Sequence, residues 1–167
     1  MCNLGLNQQE KEYQEQLNEF IVKLEYYCSY QERCLAELKQ KMYKLEIPVA
    51  MQDTIIEHLQ ENNFYNEERF VASFINGKAK HKKWGKQKLT NELLKKQIDY
   101  NLIQQALSQL NEFEYQERLQ LLLEKKASQI KSNSILEKKQ KLYRFALQKG
   151  YDTASITPIL NKIIDEK

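Results

Sequence analysis

The feature that most constrains this 167-residue chain is an apolar pattern that occurs three times with the same internal spacing. The three copies consist of Leu38, Met42, Tyr43, Ile47, Ile55, Ile56 and Leu59, then Leu89, Leu93, Leu94, Ile98, Ala106, Leu107 and Leu110, then Leu142, Ala146, Leu147, Tyr151, Ile159, Leu160 and Ile163. Successive copies lie 51 and 53 residues apart. An apolar pair at helical spacing is common by chance, whereas seven matched positions in three gapless copies predict an internal repeat.

Each copy predicts two helices joined by a short turn, because positions i, i+4 and i+5 line one face of a helix. A further apolar stripe precedes each copy. These stripes are Leu17, Phe20, Ile21, Leu24 and Cys28, then Phe70, Val71, Phe74 and Ile75, then Leu119, Leu122, Leu123, Ala127 and Ile130. We therefore predict an all-α fold of three tandem three-helix repeats, which resemble helix-turn-helix units. Units this small bury little surface alone, so neighbouring units should stack.

Individual residues predict where the helices begin and end. The third helix of each unit should begin at Pro48, Asp99 or Asp152, since proline suits a first helical position and aspartate caps free N–H groups. Gly150 is a candidate left-handed stop for the helix before it. These positions place the turn of each unit just after its second helix.

The start of the second helix in the first unit has two interpretations. Ser29 and Glu32 match a capping box, which would start a helix near residue 30. Alignment of the repeats sets Cys34 against Gly85 instead, and we favour a start near residue 35. Gly85 and the segment 132–134 mark the corresponding breaks in the other units. The predicted divisions are a frayed, polar N-terminus at 1–10 and repeats at 11–63, 64–111 and 112–167.

Composition supports a thin, helical body. Hydrophobic residues make up 41% of the chain and charged residues 29%, so the surface must be large relative to the core. Four glycines and two prolines are too few for the many turns of a β-sandwich. No apolar run is long enough to span a membrane, and no signal-peptide core is present. Three cysteines without metal spacing fit a reduced cytoplasm.

The net charge of +3 is distributed unevenly along the chain. Residues 1–75 carry 7 basic and 13 acidic side chains, whereas residues 76–96 carry 8 basic and 1 acidic. Residues 118–149 carry 9 basic and 2 acidic side chains. The first third is therefore acidic, and two later segments are candidates for binding an anionic partner.

The first candidate binding set consists of Lys78, Lys80, Lys82, Lys83, Lys86 and Lys88. Like charges at i and i+4, such as Lys78 and Lys82, destabilise a helix. With so few acidic neighbours these lysines need counterions or a partner, although a solvated helix face remains the simpler alternative. A DNA backbone or an acidic protein groove would serve, and affinity would then fall with salt.

The second candidate set is Lys125, Lys126, Lys131, Lys138, Lys139, Lys141 and Arg144. It would form one positive track with the first set if both lie on a common face, and otherwise it is the polar side of amphipathic helices. Trp84 is expected to pack on its own unit rather than stack on a base. Arg69 is expected to be structural because Glu67 and Glu68 adjoin it.

The tyrosines have two interpretations. Tyr43, Tyr143 and Tyr151 lie on or next to template positions, so we expect half-buried packing there. Tyr26, Tyr27 and Tyr30 form a candidate contact patch.

The chain has no pattern that is typical of an enzyme. His58 and His81 lack cysteine or carboxylate partners at metal spacing. Phosphate-binding and dinucleotide-binding fingerprints are absent, and Cys28 and Cys34 are too far apart for a redox pair. We therefore expect no catalytic residue, no metal and no cofactor.

Three segments carry a resemblance to a known family. Residues 66–75, Asn-Glu-Glu-Arg-Phe-Val-Ala-Ser-Phe-Ile, precede the basic run, Trp84-Gly85 and a helix through Leu89 and Leu93 to Ile98. This arrangement resembles the acidic-acidic-x-Arg-Phe-x-x-x-Phe element, aromatic-Gly turn and Lys-x-Ile helix end of the RecX family. Residues 34–38 and 143–151 are similar to the corresponding parts of its first and third units. Cys34 replaces a usual serine, and Lys86 replaces a frequent proline.

The resemblance implies a curved, elongated molecule that regulates the RecA recombinase in the bacterial cytoplasm. Members lie along the groove of the RecA–DNA filament across neighbouring subunits, and they suppress recombinase and ATPase activity by blocking filament growth or favouring disassembly. The implied partners are this filament and, with or without direct contact, the backbone of single- or double-stranded DNA. We expect a monomer. The alternatives are a general DNA-binding protein, which could insert a helix into the major groove, and a helical scaffold for an acidic protein.

Overall fold

A computed structural model of the chain describes residues 8–132 and 134–165, and these residues form α-helices, one π-helical turn and connecting turns, without a strand. The helices are α1 (Gln8–Ser29), α2 (Leu35–Lys44), α3 (Val49–Glu61), α4 (Glu67–Gly77), α5 (Lys86–Lys95), α6 (Tyr100–Ser108), α7 (Glu112–Gln129), α8 (Ile135–Lys149) and α9 (Thr153–Asp165). The π-helical turn Lys78–Lys82 follows α4. The all-α architecture of tandem three-helix repeats is confirmed.

One turn recurs at the end of the second helix of every repeat. Glu46, Gln97 and Gly150 occupy equivalent positions and have positive φ angles of 54°, 63° and 88°. Each donates its backbone N–H to the carbonyl three residues earlier, and the next residue donates to the carbonyl five residues before itself. This pair of bonds defines a Schellman motif, which satisfies the free carbonyls of a helix end. The predicted left-handed stop at Gly150 is confirmed, and the first two repeats form the same turn without glycine.

The Schellman motif explains which template positions are buried. Ile47, Ile98 and Tyr151 follow the left-handed residue, and all three are buried against their own repeat. The preceding template position lies three residues before the left-handed residue, and its side chain turns outward. Tyr43, Leu94 and Leu147 are therefore 82%, 43% and 41% exposed. The expected half-buried packing is therefore wrong for Tyr43, whereas Tyr143 is half-buried and Tyr151 is fully buried.

The helix starts follow the predicted caps in most cases. Asp99 accepts the backbone N–H groups of Asn101 and Leu102, and Asp152 accepts that of Ser155. Pro48 is the residue before α3 rather than its first helical residue. In the first repeat α1 extends to Ser29 and α2 begins at Leu35, as the repeat alignment predicts.

The first residues of the chain and the segment 132–134 test two of the predicted boundaries. α1 begins at Gln8, inside the stretch 1–10 that was expected to be frayed, and residues 1–7 lie outside the described part. Asn133, within the predicted 132–134 break, also lies outside it, while Ser134 caps α8. The divisions at 63/64 and 111/112 stay a prediction.

The chain forms two compact units, Met1–Phe70 and Val71–Lys167. In unit 1, α1 packs on α3, and the buried core includes Leu24, Leu38, Met42, Ile55 and Leu59. Unit 2 contains most of the second repeat and the third repeat. In its third repeat α7, α8 and α9 pack on one another around a core that includes Tyr115, Leu119, Leu142, Tyr151 and Leu160.

Two polar links tie the helices of unit 1 together. His58 Nε2 lies 2.8 Å from Glu25 Oε1 on α1. The Arg69 Nε group donates to Glu32 Oε1 at 2.5 Å, and its two terminal nitrogens donate to the side chain and backbone of Asn63. Arg69 is structural as expected, but its partners are Glu32 and Asn63 rather than the adjacent glutamates.

Candidate binding surface

The first basic segment is not one helical face. α4 ends at Gly77, the π-helical turn carries Lys78, Lys80 and Lys82, and Lys83 follows in the left-handed conformation with φ 55°. Trp84 and Gly85 then lead into α5, whose first turn carries Lys86 and Lys88. The six lysines are therefore divided among three backbone segments.

Trp84 contacts side chains on both sides of this turn. Its half-buried ring lies 6.4 Å from that of Phe74, centroid to centroid, in agreement with the expected packing role. The ammonium groups of Lys78 and Lys88 lie 5.7 and 5.1 Å from the Trp84 ring centroid. Cation–π attraction thus holds two of the predicted site residues against the indole.

Lys80, Lys82 and Lys83 are exposed, whereas Lys86 is held within unit 2. Lys86 Nζ donates to Glu112 Oε2 at 2.8 Å and lies 4.8 Å from the Tyr115 ring centroid. Hydrogen bonds from Lys86 and Gln116 lower the pKa of Glu112. Burial raises the pKa of Tyr115, and that of Tyr151 to about 12.

Two glycines allow the second and third repeats to meet inside unit 2. The backbone N–H of Gly85 donates to Lys149 O at 2.8 Å, and that of Gln87 donates to Gly150 O at 3.0 Å. A Cβ at Gly85 would overlap the backbone of Gly150 and Tyr151, and a Cβ at Gly150 would overlap Lys88. The start of α5 therefore contacts the end of α8, where helix dipoles of opposite sign attract.

The backbone N–H of Lys86 donates to the Tyr115 hydroxyl at 3.2 Å. A proline at this position would have no such donor. The N–H of Lys86 therefore contributes one bond to this junction.

The second basic set is distributed over α7, the following loop and α8. Lys125 and Lys126 lie near the end of α7, and Lys126 Nζ is 5.3 Å from the Phe145 ring centroid. Lys139 donates to Asn161, and Lys141 pairs with Glu137. Lys131 and Arg144 are exposed, and Lys138 is half-buried.

Parts of the two sets meet in one groove of unit 2. This groove has a volume of about 460 Å³ and is lined by His81, Lys83, Arg118, Leu121, Leu122, Lys125, Lys126, Gln129 and Phe145. Three of the predicted site residues, Lys83, Lys125 and Lys126, therefore lie together. The structure does not bring Lys139 and Lys141 into this group, since both bind residues of their own repeat.

Three residues of this groove, Arg118, Leu121 and Phe145, were not predicted to be site residues. Leu121 is 60% exposed on the side of α7 away from the buried stripe. Its signal was the run Leu121-Leu122-Leu123, because a helical stripe does not need three adjacent leucines. Phe145 lay in the motif 143–151 but carried no sign of its role.

The tyrosines of unit 1 divide into two environments. Tyr26 and Tyr30 are exposed and meet edge to face at 5.3 Å between centroids, as a contact patch would. Tyr27 is covered by the Arg33 guanidinium, which lies 3.8 Å from its ring centroid.

No helix in the described ranges is long and apolar enough to cross a membrane. Within the same part of the chain, no group of three or more histidine, cysteine, aspartate or glutamate side chains is arranged to hold a metal.

The fold defines a helical-repeat protein, and its unit 2 exposes several lysines. The model described as "RecX, second three-helix domain" matches residues 66–107, and the model described as "RecX, third three-helix domain" matches residues 114–160. This chain belongs to the RecX family.

Individual relatives and solved structures agree with this assignment. Regulatory protein RecX of Bacillus cytotoxicus and that of Bacillus mycoides are each 24% identical over 155 residues, or 93% of this chain. The chain spans 57% of the length of both relatives. A crystal structure of regulatory protein RecX has a TM-score of 0.82 at 18% identity, covering 100% of this chain and 83% of that one. RecX from Lactobacillus salivarius has a TM-score of 0.77 at 25% identity, covering 91% and 96%.

Proposed function

We propose that this chain binds the filament that the RecA recombinase forms on DNA and inhibits its recombinase and ATPase activity. The observation that supports this most is the set of exposed lysines in unit 2 of a chain whose relatives are regulatory proteins. An anionic filament would supply the charge that the local sequence lacks.

We propose that the binding site includes the exposed lysines of the segment between α4 and α5, Lys80, Lys82 and Lys83, together with Lys125 and Lys126 of the groove. Lys80, Lys82 and Lys83 have no ring or carboxylate holding their ammonium groups in the described contacts. Lys78, Lys86 and Lys88 also hold the Trp84 turn and the junction of the repeats. Substitutions at Lys80, Lys82 and Lys83 therefore test binding with the least effect on folding.

The direct test is DNA-dependent ATP hydrolysis by a cognate RecA on single-stranded DNA, with and without this protein. We expect inhibition at substoichiometric amounts that weakens as salt rises, because bound counterions are released on association. Absence of inhibition even at low salt would overturn the proposal. Tight, sequence-dependent binding to naked duplex DNA would favour the alternative of a DNA-binding regulator.

A matched pair of variants tests the surface. Reversal of charge at Lys80, Lys82 and Lys83 should weaken inhibition at least tenfold. The control reverses three exposed lysines of unit 1, namely Lys11, Lys39 and Lys44. If both triple variants lose the same amount of inhibition, net charge rather than this surface is responsible.

A further inference from the structure

The groove of unit 2 combines an apolar floor with a basic rim. Leu121, Leu122 and Phe145 supply the floor, and the rim consists of His81, Lys83, Arg118, Lys125 and Lys126. Leu121 is 60% exposed. The exposed leucine, the half-buried leucine and the aromatic ring together give the groove a small contiguous apolar floor.

The rim carries positive charge without an acidic residue in the lining. The Arg118 guanidinium approaches Glu114 only at 3.9 Å, and its Nη1 atom is buried without a hydrogen-bond partner. Lys126 and Lys149 both place ammonium groups over the Phe145 ring, at 5.3 and 5.7 Å from its centroid. The groove is therefore complementary to carboxylates rather than to cations or neutral surfaces.

The floor favours a peptide over a nucleic-acid strand. Single strands bind by stacking bases on aromatic faces, but the floor is largely aliphatic, and its one ring is covered by two lysines. Leucine-lined grooves accept the apolar face of an amphipathic helix. An acidic helix would place its carboxylates at the rim and its apolar side chains on Leu121 and Leu122.

Lys83 is held at the edge of this groove by an unfavourable backbone conformation. It is left-handed, the N–H of Trp84 donates to Lys78 O, and Lys149 Nζ donates to Lys82 O. The left-handed conformation is costly for a residue other than glycine. Glycine would adopt this backbone conformation at a lower cost in free energy, but only lysine adds a cation to the rim of the groove.

We propose that this groove binds an acidic, amphipathic segment of a protein partner, with large apolar side chains on its floor and carboxylates at its rim. The proposal goes beyond the proposed function and does not rest on it, since binding can be measured without a recombinase. Lys83, Lys125 and Lys126 supply charge complementarity, and Leu121 supplies the principal apolar contact.

The test uses the full chain and a fluorescent synthetic peptide with leucine at positions i, i+4 and i+7 and glutamate on the other face. Fluorescence anisotropy should show saturable binding that falls roughly tenfold for Leu121→Ser, as expected for a central contact residue. Leu136→Ser is the matched control, because Leu136 is 66% exposed on α8 outside the groove. Its binding should remain unchanged.

A second variant separates charge from folding. Lys83→Gly removes a rim cation and relieves the left-handed strain, so peptide binding should weaken while resistance to urea is retained or increased. Two altered peptides, with glutamine for glutamate or serine for leucine, should each bind at least tenfold more weakly than the parent peptide.

Three outcomes would overturn the proposal. The first is equal peptide binding by the wild type and Leu121→Ser. The second is displacement of the peptide by oligothymidylate at a lower concentration than by unlabelled peptide, which would assign the groove to nucleic acid. The third is self-association in sedimentation that Leu121→Ser abolishes, which would assign the groove to a second copy of the chain.

Discussion

In unit 1 two side-chain links join segments that are far apart in the sequence, whereas in unit 2 four lysines lie over two aromatic rings and others face solvent. Glu25 binds His58 and Glu32 binds Arg69 in unit 1. In unit 2, the ammonium groups of Lys78 and Lys88 lie over the Trp84 ring. Those of Lys126 and Lys149 lie over the Phe145 ring. A lysine on a ring keeps its full charge, so unit 2 presents positive charge to a partner, whereas unit 1 carries more acidic than basic side chains. One helical template therefore supports two different surfaces.

The chain offers a separate probe for each unit. Its single tryptophan, Trp84, lies in unit 2, so its fluorescence reports on unfolding there. Cys28 and Cys34 are buried in unit 1, and burial raises the pKa of the Cys28 thiol to about 11. Alkylation of these thiols in a Cys2→Ser background therefore reports on unit 1, because the reactive thiolate forms after exposure.

The largest expected effect is on the junction inside unit 2. Gly150→Ala should lower the free energy of unfolding of this unit by roughly 2–4 kcal/mol, because it adds left-handed strain and a steric overlap with Lys88. Urea unfolding followed by Trp84 fluorescence measures the change.

The equivalent left-handed positions provide the control for Gly150. Gln97→Gly should stabilise unit 2 by up to about 1 kcal/mol, because the turn is the same but the residue is strained. A loss at Gly150 smaller than the gain at Gln97 would show that the close contact with Lys88 has little energetic effect.

An intermediate effect is expected for the polar link of unit 1. Arg69→Met removes the hydrogen bonds to Glu32 and Asn63 and should cost about 1–2 kcal/mol, a value reduced for partial exposure. Faster alkylation of Cys28 and Cys34 would measure this loss. Arg33→Met, which removes a contact with Tyr27, is the comparison and should cost less. Equal effects would mean that the Glu32 link adds nothing beyond packing.

The smallest expected effect concerns the Lys86–Glu112 pair of unit 2. The pKa of Glu112 is lower in the folded chain than its usual value, so the pair stabilises at neutral pH and loses this contribution as pH falls through the folded pKa. Because Glu112 is exposed and Lys86 is only half-buried, Glu112→Gln should remove only about a few tenths of a kcal/mol at pH 7. Trp84-monitored unfolding at pH 7 and pH 3 should show the difference between wild type and variant shrinking in acid. A constant difference would indicate that charge is not its cause.

The sequence determined the repeat and the turn that ends each second helix. The template spacing, the Asp99 and Asp152 caps and the left-handed residue at Gly150 follow from interactions within a few residues. Local spacing also fixed the start of α2 near Leu35, because the repeats share one register. The spacing did not reveal that the side chains of Tyr43, Leu94 and Leu147 are exposed. These residues lie in the last turn of their helices, where the chain leaves the helix and less of the neighbouring structure covers them.

Only the tertiary structure decided which charges are available to a partner. Lys86 pairs with Glu112, and Arg69 pairs with Glu32. Lys83 lines the same groove as Lys125 and Lys126, although these residues are about 40 positions apart in the sequence. Charge counting along the chain cannot separate a paired lysine from an exposed one, because the pairing depends on how helices pack. The basic segments were therefore visible in the sequence, while the groove that joins part of them was not.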